Sequence, residues 1–457
     1  MKTITRHTKL LLTIALCCLI SSCKKYLDAK TDKTLVLSSS INDAQALMDN
    51  YFLLGVSISS VGITMDDDYS ILDSYYDIRT VTERLQYTWD KQATTGDYDF
   101  SESYTAIVNC NVALETLNKI KPGTSDITAY NLAKGSALFY RAYRHYILMS
   151  IYCLQYDKAT SGTDLGIPYK ISSNLNDKAI RPSLQSNYDA VITDLKTAAE
   201  ILPTSTIFPT RPTKQAAYGL LARIYLSMND YPNALLHADA CLKIYNTLLD
   251  YNNFNPSGTA TPFKRFNAED IFHNTSYATG FYIFTRGNIY ADLYNSYDAN
   301  DLRKSLFFAK NPNGYYGFRG AYDENANQGA YGGIATDEVY LIRAESYARA
   351  GNTSAAMSDL NTLLLKRWRN GFFVPLNATN AKNALDIILA ERRKELVRRN
   401  NLRWTDLKRL NKDPNYAKTL TRTVHGQTYT LPPNDLRYAL LIPPTEIALS
   451  GMQQNPR

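Results

Sequence analysis

The sequence lacks the local motifs on which most catalytic chemistry depends. It has no HExxH pair, P-loop lysine motif, GxSxG elbow, CxxC pair or GxGxxG run. Histidine is rare and scattered, at His7, His145, His237, His273 and His425. Because metal-binding histidines usually cluster, we interpret His145 and His237, which fall in helical patterns, as packing or surface residues. We therefore expect no catalytic residue, cofactor or metal, although a glycosidase stays open because its two carboxylates need no fixed sequence spacing.

Beyond the N-terminus the chain also lacks an apolar run long enough to span a membrane. The one long apolar run, Leu10 to Ile20, follows a basic start and leads through two serines to Cys23. This order is typical of a secretory signal peptide, and the residues before Cys23 resemble a bacterial lipobox. We predict a signal peptide over residues 1–22, a lipid on the Cys23 sulfur and a polar tether over 23–40. The alternative is an ordinary secreted protein in which Cys23 is incidental.

Excess charge and cysteine are both scarce in the mature chain. The formal net charge of +7 falls to +4 when the three basic residues of the signal peptide leave, which is too little for a nucleic-acid-binding protein. Besides Cys23, the mature cysteines are few and far apart in apolar helical patterns, at Cys110, Cys153 and Cys241. We expect buried free thiols rather than a disulfide framework.

Tyrosine, by contrast, is abundant: 35 residues, against 15 phenylalanines and 3 tryptophans. A tyrosine ring has an apolar face and a polar tip, so it suits helix packing. It equally suits a surface that stacks on sugar rings or peptide side chains. Composition alone does not separate these two uses.

An internal repeat dominates the rest of the chain. The segment from Ala222 to Leu235 matches the segment from Ala344 to Met357 in its alanines, its tyrosine and its turn residue. Each reads as helix, tight turn, helix, which is the tetratricopeptide pattern. We predict a mostly α fold, a tetratricopeptide-like superhelix with repeats over about 98–250 and 335–410, within a single domain over 41–457.

Two stretches, residues 62–100 and 250–335, do not keep a helical period. Both are rich in aromatic residues, and the second is punctuated by glycines. Loops of this length inside a compact domain usually carry function. We call these two stretches together the aromatic region.

Two charged segments are candidate binding sites. Asp66-Asp67-Asp68 has ligands suited to a hard cation such as calcium, but a solvated acidic loop is our preferred interpretation. Residues 391–409 are rich in lysine and arginine with interleaved acids. We prefer an amphipathic, ion-paired helix to an anion-binding patch, with Arg403, Trp404 and Leu407 docking the segment onto the repeats.

Short motifs in a fixed order along nearly the whole mature chain carry a family resemblance. They are Cys23 with Leu27-Asp28, Tyr104 to Asn111, Ala137 to Tyr143, Gly166-Ile167-Pro168, Arg211 to Lys214, Tyr340 to Glu345, Glu391 to Leu396, Arg403 to Leu407 and Leu441 to Pro456. In this order they resemble the SusD/RagB family of Bacteroidetes outer-membrane lipoproteins. Two departures stand out: Arg398 to Leu402 replaces an aromatic-Glu-Gly segment, and Lys24-Lys25 replaces acidic residues after the lipid cysteine.

The resemblance implies a non-catalytic nutrient-binding lipoprotein, anchored through Cys23 in the outer membrane and facing outward. It implies that the protein captures oligosaccharide or polysaccharide and passes it to a SusC-like TonB-dependent transporter, for which it acts as a lid. It also implies a tetratricopeptide scaffold that faces the transporter. Alternatives that stay open are a RagB-like peptide binder, a surface glycosidase and a scaffold that binds only a partner protein.

In glycan-binding members of this family the ligand site is an arc of aromatics on irregular loops. Sugar C–H faces stack on aromatic planes, while the hydroxyls need polar partners at the rim. The candidate ligand-binding residues therefore come from the aromatic region: Tyr75, Tyr76, Arg79, Tyr87, Trp89, Tyr282, Tyr290 and Tyr316.

Overall fold

Helix follows helix through most of the computed structural model, which describes residues 38–56, 58–276, 280–324 and 329–457. The predicted signal peptide, Cys23 and most of the tether lie outside the described residues. The helices, in chain order, are α1 Ile41–Met48, α2 Tyr51–Gly55, α3 Val61–Met65, α4 Asp73–Asp77, α5 Val81–Tyr87, α6 Asp97–Asn118, α7 Ile127–Tyr152, α8 Leu184–Ile201, α9 Lys214–Ser227, α10 Tyr231–Ile244, α11 Ala291–Asn295, α12 Leu302–Phe307, α13 Thr336–Arg349, α14 Thr353–Leu365, α15 Ala381–Glu395, α16 Leu402–Leu410 and α17 Pro444–Ser450.

The strands are short and pair only in twos. They are β1 Tyr69–Ser70, β2 Asp270–Phe272, β3 Asn288–Ile289, β4 Phe308–Lys310, β5 Tyr316–Phe318, β6 Ile334–Ala335, β7 Leu420–Val424 and β8 Gln427–Leu431. All pairs are antiparallel: β1 with β3, β2 with β6, β4 with β5 and β7 with β8. The predicted mostly α fold class is confirmed.

The long helices form a continuous series that we call the helical stack, α6 to α10 and α13 to α15. Each of α6 to α9 packs on the next helix, α10 packs on α13, and α13 packs on α14 and α15. The repeat turns have the predicted cap geometry, with Asn229 at φ 59° and Gly351 at φ 81°. The alanines common to both repeats, Ala222, Ala234, Ala344 and Ala356, have no exposed surface, so the paired helices approach closely.

The molecule has differently composed cores. Aliphatic residues and alanines of the helical stack dominate one large buried cluster, and α13 to α15 enclose another. A third cluster lies in the aromatic region and consists mostly of rings, among them Tyr251, Phe263, Phe307 and Tyr322. Much of the excess tyrosine is thus used in packing. Cys110, Cys153 and Cys241 are buried free thiols, as predicted.

Buried ion pairs join the aromatic region to the helical stack. We call this group the charged seam: Glu269, Asp301 and Arg303 of the aromatic region, Glu391 and Glu395 of α15, and Arg367 of the segment between α14 and α15. Arg303 contacts Asp301 at 2.7 Å, Glu391 at 2.6 Å and Glu395 at 3.0 Å. Arg367 contacts Glu269 and Glu395, both at 2.7 Å. Burial opposes ionisation, yet the two arginines hold the pKa of Glu395 below its ordinary value.

Candidate functional site

The two stretches of the aromatic region meet in space. Strand β1 of the first pairs with β3 of the second, with Tyr69 opposite Ile289. Beyond this pair the Tyr290 backbone N–H donates to the Asp68 carbonyl at 3.1 Å. The hairpin of β4 and β5 is attached to the same segment, because Asn311 donates to the Asn288 side chain at 3.0 Å. Segments that carry predicted site residues far apart in sequence are therefore in contact with one another.

Five of the side chains predicted from the sequence are half-buried: Tyr75, Tyr76, Arg79, Tyr290 and Tyr316. Tyr75 and Tyr76 lie on α4. The Arg286 guanidinium lies 5.4 Å from the centre of the Tyr75 ring, and the Arg84 guanidinium lies 5.9 Å from that of Tyr76. The rings are thus fixed by cations and keep some accessible surface.

Tyr316 has a partner that sequence reasoning missed. Its ring stacks on Tyr294 of α11 with 3.6 Å between centres and 14° between planes. Lys304 lies 4.9 Å from the centre of the Tyr294 ring. No local pattern singles out Tyr294, because the pair forms only when α11 meets β5. We define the aromatic face as Tyr75, Tyr76, Arg79, Tyr290, Tyr294 and Tyr316.

The other predicted side chains, Tyr87, Trp89 and Tyr282, are 1%, 2% and 3% exposed. Tyr87 stacks on Phe281 at 5.4 Å, and its hydroxyl accepts from the Ile71 backbone N–H at 3.1 Å. Trp89 donates from its indole nitrogen to the Met65 carbonyl at 2.9 Å. Burial raises the pKa of Tyr282, whose ring lies 5.3 Å below the Arg398 guanidinium. These rings lie under the surface, and their contact with ligand stays a prediction.

The acidic run Asp66-Asp67-Asp68 is buried, so its interpretation as a solvated loop is wrong. Asp67 accepts from Arg403 at 2.6 Å and from Lys418 at 2.8 Å. Asp68 accepts from Arg393 at 2.9 Å. Burial acts against ionisation, but these cations hold the pKa of Asp67 well below its ordinary value. The run joins distant segments of the chain.

The basic segment 391–409 is ion-paired, as predicted, but it is not one helix: it spans the end of α15, a break over 396–401 and most of α16. Its partners also lie mostly far away in sequence. Arg399 pairs with Asp337 at 2.7 Å, and Arg409 pairs with Glu345 at 2.6 Å. Trp404 is fully buried and stacks on Tyr438 at 4.8 Å, which confirms that this segment docks on the core of the repeats. Its charges are therefore used inside the protein rather than on an anion-binding patch.

One cavity in the described part of the chain is lined by none of the predicted site residues. It is a groove of about 680 Å³ between α6, the loop 168–179 and α17. Val108, Leu175 and Leu449 give it apolar walls, and Asn109 and Asn176 place amides among them.

The histidines inside the repeats pack, as predicted. His145 has no exposed surface, stacks on Tyr169 at 3.9 Å and accepts from the Lys170 backbone N–H at 3.2 Å. Burial lowers the pKa of His145 to about 3 and that of His237 to about 4. Within the described ranges, no group of three or more His, Cys, Asp or Glu side chains is arranged to hold a metal ion.

Two family models match the chain in tandem. One, described as "Starch-binding associating with outer membrane", matches residues 25–226. The other, described as "SusD family", matches residues 287–456. The chain belongs to the SusD/RagB family.

Solved structures of SusD relatives have the same fold. A SusD superfamily protein from Bacteroides thetaiotaomicron superposes with a TM-score of 0.74 at 22% identity, covering 92% of this chain and 100% of the other. A surface glycan-binding protein A from Bacteroides uniformis gives a TM-score of 0.68 at 17% identity, covering 91% and 98%. No curated protein sequence matches significantly. In the part of the chain that the structure describes, no helix combines the length and apolar character of a membrane span.

The SusD-family motifs of the first half have structural roles. Tyr104 donates to the Pro168 carbonyl at 2.8 Å, and Asn111 donates to the carbonyls of Lys170 and Ser172 at 3.1 Å. Arg141 holds Asp194 at 2.7 Å and Asn111 at 3.0 Å. These side chains fix the loop 168–179 against α6 and α7, which explains their positions without a ligand.

The departure from the SusD pattern at Arg398 to Leu402 has a structural consequence. Arg398 and Asn400 take φ values of 58° and 22°, in the left-handed region that favours glycine. The Arg398 guanidinium lies 4.1 Å from the centre of the Tyr69 ring and donates to the Phe281 carbonyl at 2.6 Å. The arginines here fill the base of the aromatic region, so the substituted segment supports the candidate site.

Proposed function

We propose that this protein binds oligosaccharides at the cell surface without catalysis and delivers them to a SusC-like TonB-dependent transporter, acting as its lid. It would be anchored in the outer membrane by a lipid on Cys23, after removal of residues 1–22. Membership of the SusD/RagB family supports this proposal, as does the description of the matching model, which associates starch binding with the outer membrane.

The observation that carries the proposal is the aromatic face. Its tyrosine rings are fixed in place yet keep part of their surface accessible, and a guanidinium lies beside them. Sugar rings need apolar planes for their C–H faces and polar groups for their hydroxyls. We assign direct ligand contact to the aromatic face, and we assign Tyr87, Trp89 and Tyr282 to the floor beneath it.

A binding screen of the purified protein against neutral and acidic oligosaccharides and peptide mixtures tests this proposal. Tyr75→Ala and Tyr316→Ala should each weaken glycan binding about tenfold, because each removes a stacking plane. Tyr98→Ala is the matched control, since Tyr98 is 52% exposed but lies on α6, outside the aromatic face. Unchanged affinity in both test variants would remove the aromatic face from the site.

Anchoring and partnership need their own test. A Cys23→Ser variant should leave the outer-membrane fraction and lose incorporation of labelled fatty acid, because the sulfur that carries the lipid is gone. Co-purification of the wild-type protein with a β-barrel transporter from the same membrane would support the lid role. Persistence of the variant in the membrane would contradict the lipid anchor.

The groove beside α6 favours a second candidate, a RagB-like peptide binder. Aliphatic walls with amides between them suit peptide side chains and backbone groups better than they suit a sugar. If the Leu175→Asp variant loses peptide binding and the Tyr316→Ala variant keeps it, peptide binding would replace glycan binding as the proposed function.

Hydrolysis is a further alternative. Asp73 and Asp77 lie near the aromatic face, but their side chains are 50% and 53% exposed and both contact His425. A glycosidase acid works in an apolar, enclosed site, whereas these two carboxyl groups are half exposed to solvent. Captured glycan should therefore keep its chain length; release of new reducing ends that stops in Asp77→Asn would contradict binding without catalysis.

A further inference from the structure

Two arginines of the candidate site lie side by side next to Gly280. A side-chain carbon added at Gly280 would lie 2.0 Å from Arg79 Nη1 and 3.5 Å from Arg286 Nη1. The two guanidinium nitrogens are thus no further apart than the sum of those distances. The Arg79 guanidinium occupies the space that any larger residue at position 280 would need.

The carboxylates nearby are engaged elsewhere. Glu83 Oε1 lies 3.9 Å from Arg79, beyond hydrogen-bond distance, while Oε2 accepts from the Thr80 backbone N–H and hydroxyl, both at 3.0 Å. Asp77 contacts His425 at 2.8 Å, and Asp73 accepts from the His425 backbone N–H at 3.1 Å.

In the part of the chain that the structure describes, Arg286 and Arg84 are left without a counter-charge, and Arg79 has only the distant Glu83 carboxylate. Arg286 and Arg84 form no ion pair with any residue that the structure describes, and Arg79 Nε is buried with no described acceptor. The buried arginines of the charged seam differ, because each of them contacts at least two carboxylates.

Two adjacent, partly dehydrated cations repel each other, and an anion between them removes that repulsion. Guanidinium groups bind carboxylate and sulfate through paired, charge-assisted N–H donors. Arg286 also lies over the Tyr75 ring, 5.4 Å from its centre, so the two cations adjoin a half-buried tyrosine of the aromatic face. An anionic substituent on a stacked sugar would therefore reach both arginines.

We propose that Arg79 and Arg286 form an anion subsite beside the aromatic face and that the glycan ligand is acidic, carrying carboxylate or sulfate groups. This inference rests on the proposed function, whose ligand class it narrows.

Calorimetric titration of the purified protein tests the subsite with three probes of similar length: an oligogalacturonate, a sulfated galactan oligosaccharide and a neutral maltooligosaccharide. At least one acidic probe should bind roughly tenfold or more tightly than the neutral one, and its affinity should fall with added salt. Arg79→Gln and Arg286→Gln should each cost about tenfold in affinity for that probe. The two acidic probes distinguish carboxylate from sulfate.

Arg211→Gln is the matched control. Arg211 also lies over an aromatic ring, Phe208 at 4.6 Å, but its charge is paired with Asp49 at 2.7 Å, so acidic glycan binding should not change. Equal affinity for neutral and acidic probes, or unchanged affinity in both test variants, would overturn the anion subsite and leave the proposed glycan binding standing. Failure to bind any glycan would overturn both.

Discussion

The helical stack and the aromatic region bury their side chains in different ways. The stack packs aliphatic residues and fully buried alanines at regular helical spacing. The aromatic region packs rings against rings and is tied together by two- and three-residue strands and by arginines that contact ring faces. The stack therefore depends on local periodicity, whereas the aromatic region depends on contacts between distant segments.

This difference separates scaffold from site. Each repeat is stabilised by its contacts with the neighbouring repeats, so the arrangement of the repeats can vary little. The aromatic region has no long helix or sheet of its own, and the charged seam fixes it to the stack. Its surface rings can accordingly vary without changing the scaffold that presents them.

The largest expected effect comes from breaking the charged seam. Arg303→Met leaves Asp301 and part of the charge on Glu391 and Glu395 uncompensated in a buried place, so we expect a loss of about 3–5 kcal/mol in the free energy of unfolding. Urea titration measures it. Lys382→Met is the control, because its pair with Asp386 is exposed and should contribute under about 1 kcal/mol. Equal losses in the two variants would contradict the structural role of the seam.

Alkaline pH should weaken the aromatic region through His273. Burial disfavours its charge, but Asp270 and Asp323 outweigh this and raise the pKa of His273 to about 9. Because the folded pKa lies above the unfolded value of about 6.5, the stabilisation is complete below pH 6.5 and is lost as pH rises through 9, by on the order of 3 kcal/mol. The difference in unfolding free energy between wild type and His273→Gln should shrink over this window. A difference in unfolding free energy that stays constant over this pH range would contradict a charged His273.

A smaller effect is expected from a cap in the helical stack. The Asn352 side chain accepts from the Ala355 backbone N–H at 3.1 Å and begins α14. Asn352→Ala should cost about 1 kcal/mol, because that N–H loses its acceptor. Asn352→Asp, which keeps an acceptor, should cost much less in the same urea titration. Equal losses in both variants would show that the cap does not act through this bond.

The smallest effect on stability should come from the aromatic face itself. Tyr294→Ala removes a half-buried ring that stacks on Tyr316, for a loss of about 1 kcal/mol or less. Glycan affinity should nevertheless fall about tenfold, because Tyr316 loses its support. Tyr251→Ala is the contrasting variant, since that ring is fully buried and its loss should unfold the aromatic region. A Tyr294 variant that unfolds likewise would mean that the face is part of the core.

The helical stack was predictable because its determinants are local. The left-handed turn residues Asn229 and Gly351 and the shared alanines are visible in the sequence at a constant spacing. The ordered motifs also sufficed to identify the family. Periodicity reports which face of a helix is buried, and that is most of what a repeat fold needs.

The aromatic region resisted prediction because its contacts are long-range. Tyr76 is half-buried and Tyr87 is buried although both lie in the same tyrosine-rich stretch, because the distant residues Phe281 and Arg422 pack on the Tyr87 ring. The solvated loop predicted for Asp66 to Asp68 was wrong because their partners, Arg393 and Arg403, lie more than three hundred residues away in the sequence. Tyr294 and Arg286 had no sequence signal at all.

The placement of the tryptophans decides which optical probe can follow ligand binding. Trp89 and Trp404 are 2% and 0% exposed, and Trp368 lies beside Phe373 just after α14, so none belongs to the aromatic face. Tryptophan emission will therefore report the opening of the core during denaturation and stay nearly silent when a sugar binds. A single Tyr316→Trp replacement would put an emitter on the face and turn the same fluorimeter into a direct assay of occupancy.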